Sequence, residues 1–367
     1  MQKIISGANS HKEIENILKS LKSKKYMLVC DSAFEFLEIK DYFKGLDIPK
    51  VVFSDFTVNP LYQDVCKGVE LFNSEKCDTI VAVGGGSTID VAKCIKLFCK
   101  MDNTQNYLEQ EFKDTGIPLI ALPTTAGTGS ESTRYAVIYY KGEKQSITSQ
   151  SIIPDFAVLE PSVLKTLPIY QKKCTLLDAF CQAIESWWSV NSNDESREYS
   201  KIAVESIVKN YKEYLADPSD DILSEIMTAS NYAGRAINIT ATTSAHAMSY
   251  KMTSVYGIPH GHAVAIGLVH IWEYMIANPQ NCIDSRGEEY LLKTFNDIAV
   301  SMGCSDATQA VVRFKELLKE LEIEGPKATK EELDLLTASV NVGRLKNNPV
   351  ALSKEVLYDL YLKITQR

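Results

Sequence analysis

TIVAVGGGSTIDVAK, residues 79–93, decides the fold, because an apolar run leads there directly into three glycines and then into a helix start. The run Thr79–Val83 predicts a buried strand. Glycines let the backbone approach a phosphate closely, and the helix behind them offers unsatisfied N–H groups and a partial positive charge. The segment therefore suits a pyrophosphate, although a tight turn with Ser87 as N-cap explains a lone glycine cluster equally well.

A second loop of the same kind, residues 123–131 (PTTAGTGSE), follows the apolar run Leu119–Leu122. Open α/β sheets bind ligands beyond the carboxyl ends of their strands, so two such loops together favour a dinucleotide. The ordinary Rossmann fingerprint GxGxxG is absent.

Asp31 directly follows the apolar run Tyr26–Cys30. From this position a carboxylate can accept a hydrogen bond from an adenosine ribose and repel a 2′-phosphate, which favours NAD over NADP. Capping of a helix near Ala33 is an equally good interpretation. The predicted cofactor contacts are Asp31, Gly84, Gly85, Gly86, Ser87, Asp90, Thr124, Thr125, Thr128 and Ser130.

The rest of the chain divides into two parts. Up to about Pro161, short apolar runs alternate with helix-like segments, the pattern of a parallel α/β sheet. Beyond it, long periodic segments predict an all-helical part: Cys174–Val190, Ser196–Leu215, Ile222–Ile237, Glu288–Met302 and Lys330–Leu345. Two prolines in PDFAVLEP (residues 154–161) place the boundary between an α/β NAD-binding domain, 1–160, and an all-helical metal- and substrate-binding domain, 161–367.

Composition excludes several classes of function. The net charge of −8 over 367 residues offers no basic footprint for nucleic acid or anionic membrane. The nine cysteines include no CxxC pair, and neither a signal-peptide pattern nor a long apolar run is visible. A cytoplasmic enzyme is expected.

A window of 25 residues contains four of the five histidines: His246, His260, His262 and His270. Histidine is the commonest metal ligand. On one unbroken helix, His246 and His260 would be about 21 Å apart, too far to share an ion. Gly257 and Pro259 lie between them and predict a helix–turn–helix corner that brings the two imidazoles together.

Asp178 lies on an apolar helix (TLLDAFCQAIESWW), with Gln182 one turn later on the same face. A buried carboxylate in such surroundings needs a partner, which is either a metal or a neighbouring helix end. The other histidines are expected to serve packing, in the case of His262 and His270, or to lie at the surface, in the case of His11.

Together these segments resemble the iron-containing alcohol dehydrogenase family over almost the whole chain. GGGSTIDVAK is similar to the family's GGGSxxDxAK loop, PTTAGTGSE to its nicotinamide-side loop, DAFCQAIES to its DAxxHAxE helix, and His246 with PHGHA to its paired histidines. The resemblance implies the family's two-domain fold and homo-oligomeric assembly. It also implies an NAD(H) cofactor, with NADP(H) as an alternative, and a divalent metal, Fe²⁺ or Zn²⁺, held by Asp178, Gln182, His246 and His260.

Two positions depart from the family pattern. Gln182 replaces a histidine ligand, and a neutral amide oxygen is a weaker and harder ligand than imidazole, which leaves the choice of metal open. Tyr250 replaces a histidine that many relatives use to relay protons. Tyr250 and Lys144 are the predicted catalytic residues.

The glutamine variant, with NITATTSAHAMSYK and YGIPHGHAVA, is similar to phosphonoacetaldehyde reductases within that family. This implies reduction of a small phosphonate-bearing aldehyde to a primary alcohol, with the carbonyl polarised by the metal and hydride supplied by the nicotinamide. Predicted cations for the phosphonate are Arg134, Lys144 and Lys251, although each could equally be a solvated surface charge. Alternatives are an alcohol dehydrogenase for an uncharged or hydroxylated aldehyde, a dehydroquinate-synthase-like lyase, and a nucleotide-binding protein without catalysis.

Overall fold

The computed structural model describes residues 2–365, which divide into two compact units. The first comprises the residues up to Leu167 together with Pro218–Asn231, and the second comprises Pro168–Asp217 together with the residues from Tyr232 onward. The short return of the chain into the first unit has local causes. Lys165 forms an ion pair with Asp220, and Asn231 donates to Glu131 and Ser132.

The first unit is built on a parallel sheet. Its strands are β1 (Lys3–Ser6), β2 (Tyr26–Cys30), β3 (Lys50–Phe53), β4 (Thr79–Gly84), β5 (Leu119–Pro123) and β8 (Phe156–Leu159), in the order β1-β8-β5-β4-β2-β3. An antiparallel pair, β6 (Tyr135–Tyr140) and β7 (Glu143–Thr148), forms a separate ribbon. Every residue of β2, β4 and β5 is buried, as expected of parallel strands covered on both faces. The predicted α/β class is confirmed.

Four helices accompany these strands: α1 (Glu13–Ser20), α2 (Lys40–Gly45), α3 (Tyr62–Ser74) and α4 (Gly86–Phe98). The last of them follows β4 directly, and most of its residues are buried, including Lys93 and Lys96. Its apolar residues Ile89 and Ile95 join Val69 of α3 in one core with the sheet. Packing against the sheet and α3 therefore holds the start of α4 at the carboxyl edge of the sheet.

The second part of the chain is helical, as predicted. Its helices are α5 (Ile169–Trp188), α6 (Asp194–Ala216), α7 (Asp220–Thr240), α8 (Ser244–Tyr256), α9 (His260–Ala277), α10 (Glu288–Ser301), α11 (Ala307–Glu320), α12 (Lys330–Ser339), α13 (Val342–Leu345) and α14 (Lys354–Thr365). None of the helices within residues 2–365 is long and apolar enough to cross a membrane.

Two expectations about local structure are wrong. The periodic segment Lys330–Leu345 is not one helix, because Val340 is extended and Asn341 caps a new short helix by accepting from the Gly343 N–H. His11 is buried instead of exposed. Its Nδ1 lies 2.7 Å from the carboxylate of Glu160, at the end of β8, and this ion pair compensates the polar ring for its burial.

Candidate active site

The two glycine-rich loops lie side by side at the carboxyl edge of the sheet. Gly84 of β4 pairs with Pro123 of β5, and the Thr124 N–H donates to the Gly84 carbonyl at 3.0 Å. A Cβ atom on Gly86 would lie 2.8 Å from a methyl carbon of Thr128, so this glycine is needed for the two loops to approach each other. Partial exposure is retained where a ligand would bind, at Gly85, Gly86, Ser87, Thr125 and Thr128.

A buried lysine connects α4, which follows the first loop, to the second loop. Lys93 Nζ donates to the Ser130 hydroxyl at 3.1 Å and to the carbonyls of Thr133 at 2.8 Å and Tyr135 at 2.7 Å. Burial lowers the pKa of Lys93 to about 8, against the opposing attraction of Asp90 and Glu131. The structure thus gives Lys93, which the sequence analysis did not select, a role in holding the loops.

Asp90 belongs to the same hydrogen-bond network, which we call the Lys93 brace and which consists of Lys93, Asp90, Ser130 and the backbone groups that they contact. One carboxylate oxygen accepts from the Ser130 hydroxyl at 2.7 Å and the other from the Val137 N–H at 2.9 Å. Asp90 was predicted to contact the cofactor, but the contacts observed connect α4 to the second loop and to β6.

Asp31 makes two contacts of its own. One oxygen caps the following turn by accepting from the Ala33 N–H at 2.9 Å, which bears out the capping interpretation. The other accepts from the Thr88 hydroxyl at 2.8 Å and so ties Asp31 to the first turn of α4. A contact of Asp31 with a ribose stays a prediction.

Two of the predicted substrate cations also lie in the first unit. The half-buried Arg134 donates to the Tyr135 hydroxyl, and its guanidinium carbon lies 5.4 Å from the Tyr135 ring centroid. Lys144 lies on β7. Burial raises the pKa of Asp90 above its usual value, and the charge of Lys144 is the weakest of the contributions that oppose this rise.

In the second unit, three side chains that are far apart in sequence converge. Asp178 of α5, His246 of α8 and His260 of α9 offer ligand atoms that all lie within 4.8 Å of one another. The predicted corner between the histidines is present, because Gly257 ends α8 in the left-handed region and Pro259 precedes α9. The structure therefore brings together three of the four residues that were expected to bind a metal.

Close contact between α5 and α9 makes this convergence possible. A Cβ atom on Gly261 would lie 1.9 Å from the Cys174 carbonyl oxygen and 2.9 Å from Asp178 Cβ. The glycine next to His260 thus allows the start of α9 to touch the helix that carries Asp178.

Two supporting residues, which the sequence analysis missed, orient the imidazoles. Glu185 accepts from His246 Nδ1, which leaves Nε2 directed at Asp178 Oδ1, 3.3 Å away. Ser249 donates to the His246 carbonyl, and its oxygen lies 3.3 Å from His260 Nδ1. Each histidine therefore has its Nδ1 in contact with a supporting side chain, and each offers a ligand atom to the cluster.

Glu185 is itself held by the start of α8. Its Oε1 accepts from the Thr243 hydroxyl at 2.6 Å, the Thr243 N–H at 3.1 Å and the Ala245 N–H at 2.9 Å. Asp178, Gln182 and Glu185 follow one another at helical spacing in DAFCQAIE, so all three lie on one face of α5. That spacing is the signal from which Glu185 could have been found.

Charge in this cluster favours a cation. Although burial lowers the pKa of His246, the carboxylates of Glu185 and Asp178 outweigh burial and raise it to about 9. Burial raises the pKa of Asp178, but the neighbouring His246 and His260 together hold it below its usual value. Two buried carboxylates around one imidazole require compensating positive charge, which a divalent ion supplies.

Comparison with known protein families follows the same division of the chain. The family model described as "Iron-containing alcohol dehydrogenase" matches residues 1–161, and the model described as "Fe-containing alcohol dehydrogenase family, C-terminal" matches residues 173–365. The chain belongs to the iron-containing alcohol dehydrogenase family. This confirms the predicted oxidoreductase class.

Individual relatives of this family member agree. Phosphonoacetaldehyde reductase from Streptomyces viridochromogenes is 28% identical over 334 residues, covering 87% of this chain and 83% of the relative. 1,3-Propanediol dehydrogenase from Citrobacter freundii is 32% identical over 292 residues, covering 76% and 75%. The crystal structure of sulfoacetaldehyde reductase from Bifidobacterium kashiwanohense in complex with NAD⁺ matches with a TM-score of 0.90 at 27% identity, covering 99% of this chain and 97% of that one.

Gln182 lies inside the cluster. The side chain is buried, and its amide nitrogen donates to Asp178 Oδ1 at 3.2 Å. Gln182 therefore contacts a predicted metal ligand directly, at the position from which a fourth ligand would come.

Tyr250 lies against the cluster. Its ring stacks on His260 with centroids 5.5 Å apart and planes inclined by 6°. The Tyr250 hydroxyl accepts from Arg344 Nη1 at 2.6 Å. Lys251, the third predicted substrate cation, follows Tyr250 on α8 and is partly exposed. Because successive helical residues are about 100° apart, Lys251 does not share the face of His246 and Tyr250.

The remaining two histidines of the window have structural contacts, as expected. His262 Nε2 lies 2.8 Å from the Glu324 carbonyl, and its Nδ1 lies 2.8 Å from the Tyr170 hydroxyl. His270 lies on α9, with its Nδ1 3.8 Å from the carboxylate of Glu273.

Proposed function

We propose that this family member is a metal-dependent, NAD(H)-linked reductase that converts a small anionic aldehyde, specifically phosphonoacetaldehyde, reversibly to the primary alcohol, here 2-hydroxyethylphosphonate. The observation that carries the proposal is the convergence of Asp178, His246 and His260, whose ligand atoms all lie within 4.8 Å of one another. NADP(H) is the alternative cofactor, and the contact proposed for Asp31 favours NAD(H).

The donor set fits a divalent transition metal. Two imidazole nitrogens and one carboxylate are a common combination in catalytic zinc and non-haem iron sites, which keep a position open for substrate. Asp178, His246 and His260 would hold the ion, with Gln182 as a fourth, weaker ligand. Both Fe²⁺ and Zn²⁺ accept these donors.

When bound, such a metal polarises a carbonyl oxygen as a Lewis acid, and the nicotinamide supplies hydride. The residues of the chain do the rest. Glu185 and Ser249 keep the imidazoles in orientation, while the glycine loops and the first turn of α4 receive the pyrophosphate. Because Arg344 donates to the Tyr250 oxygen, Tyr250 keeps its own hydroxyl proton and can deliver it to the product oxygen. Lys144 is the second proposed proton-handling residue.

The names of the relatives support an anionic aldehyde. Phosphonoacetaldehyde and sulfoacetaldehyde are both short aldehydes with a tetrahedral anionic group. The 1,3-propanediol dehydrogenase, at 32% identity, favours the second candidate, an enzyme for an uncharged or hydroxylated aldehyde.

The deciding experiment measures NADH oxidation by the protein supplied with Fe²⁺ or Zn²⁺, comparing phosphonoacetaldehyde with propanal. We expect a clearly higher kcat/KM for phosphonoacetaldehyde. Equal efficiency for the two aldehydes would refute the phosphonate assignment and leave the second candidate. A lyase would consume no NADH with either aldehyde, and a protein that binds NAD but neither metal would have no reductase activity.

A further inference from the structure

Arg344 is a cation close to the metal cluster that the sequence analysis did not consider. It lies on the short helix α13, which Asn341 caps, and its side chain is half-buried. The guanidinium donates through Nη1 to the Tyr250 hydroxyl and lies 5.0 Å from the centroid of that ring. Hydrogen bonding and stacking on one aromatic ring together fix its position.

Tyr250 connects this guanidinium to the metal ligands. The face of its ring is parallel to the His260 imidazole, and the His260 ring is in turn 5.3 Å from that of His246. One aromatic side chain therefore separates Arg344 from a proposed metal ligand.

The charge of Arg344 is not neutralised by the protein. In residues 2–365, none of the ion pairs involves Arg344, whereas Arg197, Arg286 and Arg313 each have a carboxylate within 4.0 Å. A half-buried guanidinium without a carboxylate attracts an anion, and its planar fork of N–H groups suits the oxygens of a phosphonate, sulfonate or carboxylate.

We propose that Arg344 is the specificity-determining residue of this enzyme and binds the anionic group of the aldehyde whose carbonyl lies at the Asp178–His246–His260 cluster. The inference rests on the proposed function and deepens it, because it assigns the charge recognition to one residue of the same unit. Tyr250 positions the guanidinium and remains the proposed proton donor.

The test compares Arg344→Met with Arg344→Lys and with Lys346→Met, a matched control that removes an exposed charge two residues away on the same segment. NADH oxidation is measured with phosphonoacetaldehyde, sulfoacetaldehyde and propanal. Arg344→Met should lower kcat/KM for both anionic aldehydes by about 100-fold, mainly through KM, which corresponds to about 2.7 kcal/mol. Propanal reduction reports the effect that Arg344 has through Tyr250, and it should fall by clearly less, about tenfold at most, so the ratio of the two losses isolates recognition of the anionic group.

Arg344→Lys should lower kcat/KM for the anionic aldehydes by about tenfold, because an ammonium keeps the charge but cannot form two parallel hydrogen bonds. Lys346→Met should behave as the wild type. Tyr250→Phe, in contrast, should reduce kcat for charged and uncharged aldehydes alike. Binding of 2-hydroxyethylphosphonate to the zinc-loaded protein, followed by calorimetry without turnover, should weaken in Arg344→Met and not in Lys346→Met.

Two results would overturn the inference in different ways. If Arg344→Met reduced activity equally with propanal and with the anionic aldehydes, Arg344 would serve only to hold Tyr250, and the proposed function would survive. If the wild type with metal reduced none of the aldehydes, the proposed function would fail and the inference with it.

Discussion

The glycine loops and the cluster of Asp178, His246 and His260 are held in place by different means. The loops come from two adjacent strands, and their fixed shape depends on close backbone contacts and on one buried lysine that donates to the second loop. The cluster comes from three helices, and its shape depends on helix contact at Gly261 and on a carboxylate behind one histidine. The residues of the first region are close together in the sequence, whereas those of the second come from distant helices. Different substitutions should therefore disrupt the structure of each region.

The largest effect is expected from Lys93→Met in the first region. The change leaves Asp90 and Glu131 buried without their cation, and it removes the donor that holds Ser130, Thr133 and Tyr135. Each buried acceptor that loses its donor costs about 1–3 kcal/mol, so the acceptors on these three residues together should cost about 3–5 kcal/mol. Urea unfolding should show this loss, and titration with NADH should show weakened binding.

Lys96→Met is the matched control on the same helix. Lys96 is equally buried, but its partner Asp155 is 47% exposed. Water can solvate the carboxylate that is left, so we expect a cost of about 1 kcal/mol. Equal destabilisation by the two substitutions would contradict the role given to the Lys93 brace.

Next in size is Gly261→Ala in the second region. The added Cβ would collide with the Cys174 carbonyl, which is backbone and cannot rotate away. Forced separation of α5 and α9 should cost about 1–3 kcal/mol and should weaken zinc binding, because Asp178 and His260 move apart. Gly85→Ala provides the comparison in the other region, since its Cβ would meet only ordinary contacts at 3.6 Å and should be tolerated. Unchanged zinc affinity in Gly261→Ala would show that helix contact does not set the cluster.

Glu185→Gln tests the support behind His246. The amide keeps the side-chain shape but loses the charge that orients the imidazole, and the loss of such a partner typically lowers metal affinity about 10–100-fold. Ser249→Ala removes a neutral hydroxyl 3.3 Å from His260 and should lower the metal affinity by less than about tenfold. Competition with a chromophoric chelator measures both affinities, and a larger loss for Ser249→Ala would reverse the proposed order of importance.

This contrast also explains what the sequence could predict. Each of three features has a signal in neighbouring residues: the strands, the glycine loops and the Gly257–Pro259 corner. The fold and the convergence of the two histidines were therefore predictable. Glu185 has a periodic signal on α5. Arg344, however, lies 94 residues after Tyr250, and nothing local marks it as a neighbour. The split between α12 and α13, which the periodicity concealed, is the feature that places it there.

The smallest effect concerns the buried pair of His11 and Glu160 in the first unit, which is not part of any group of three metal-ligating side chains within residues 2–365. Although burial raises the pKa of Glu160, hydrogen bonds from His11 and Ser162 outweigh burial and hold it below its usual value. The unfolded chain therefore binds more protons than the folded one as pH falls below about 4.5. The stability that this carboxylate provides is fully present above that pH and is lost as pH falls through the folded pKa.

Glu160→Gln should reduce the pH-dependent loss of the free energy of unfolding below pH 4.5 by about 1 kcal/mol. It should leave the zinc affinity unchanged. Urea unfolding at a series of pH values for wild type and variant measures the difference. Glu185→Gln alters a pair of the same chemistry but should change zinc affinity strongly, because His246 alone directs its second nitrogen at another ligand. If Glu160→Gln also weakened zinc binding, the separation between a structural and a metal-orienting histidine pair would not hold.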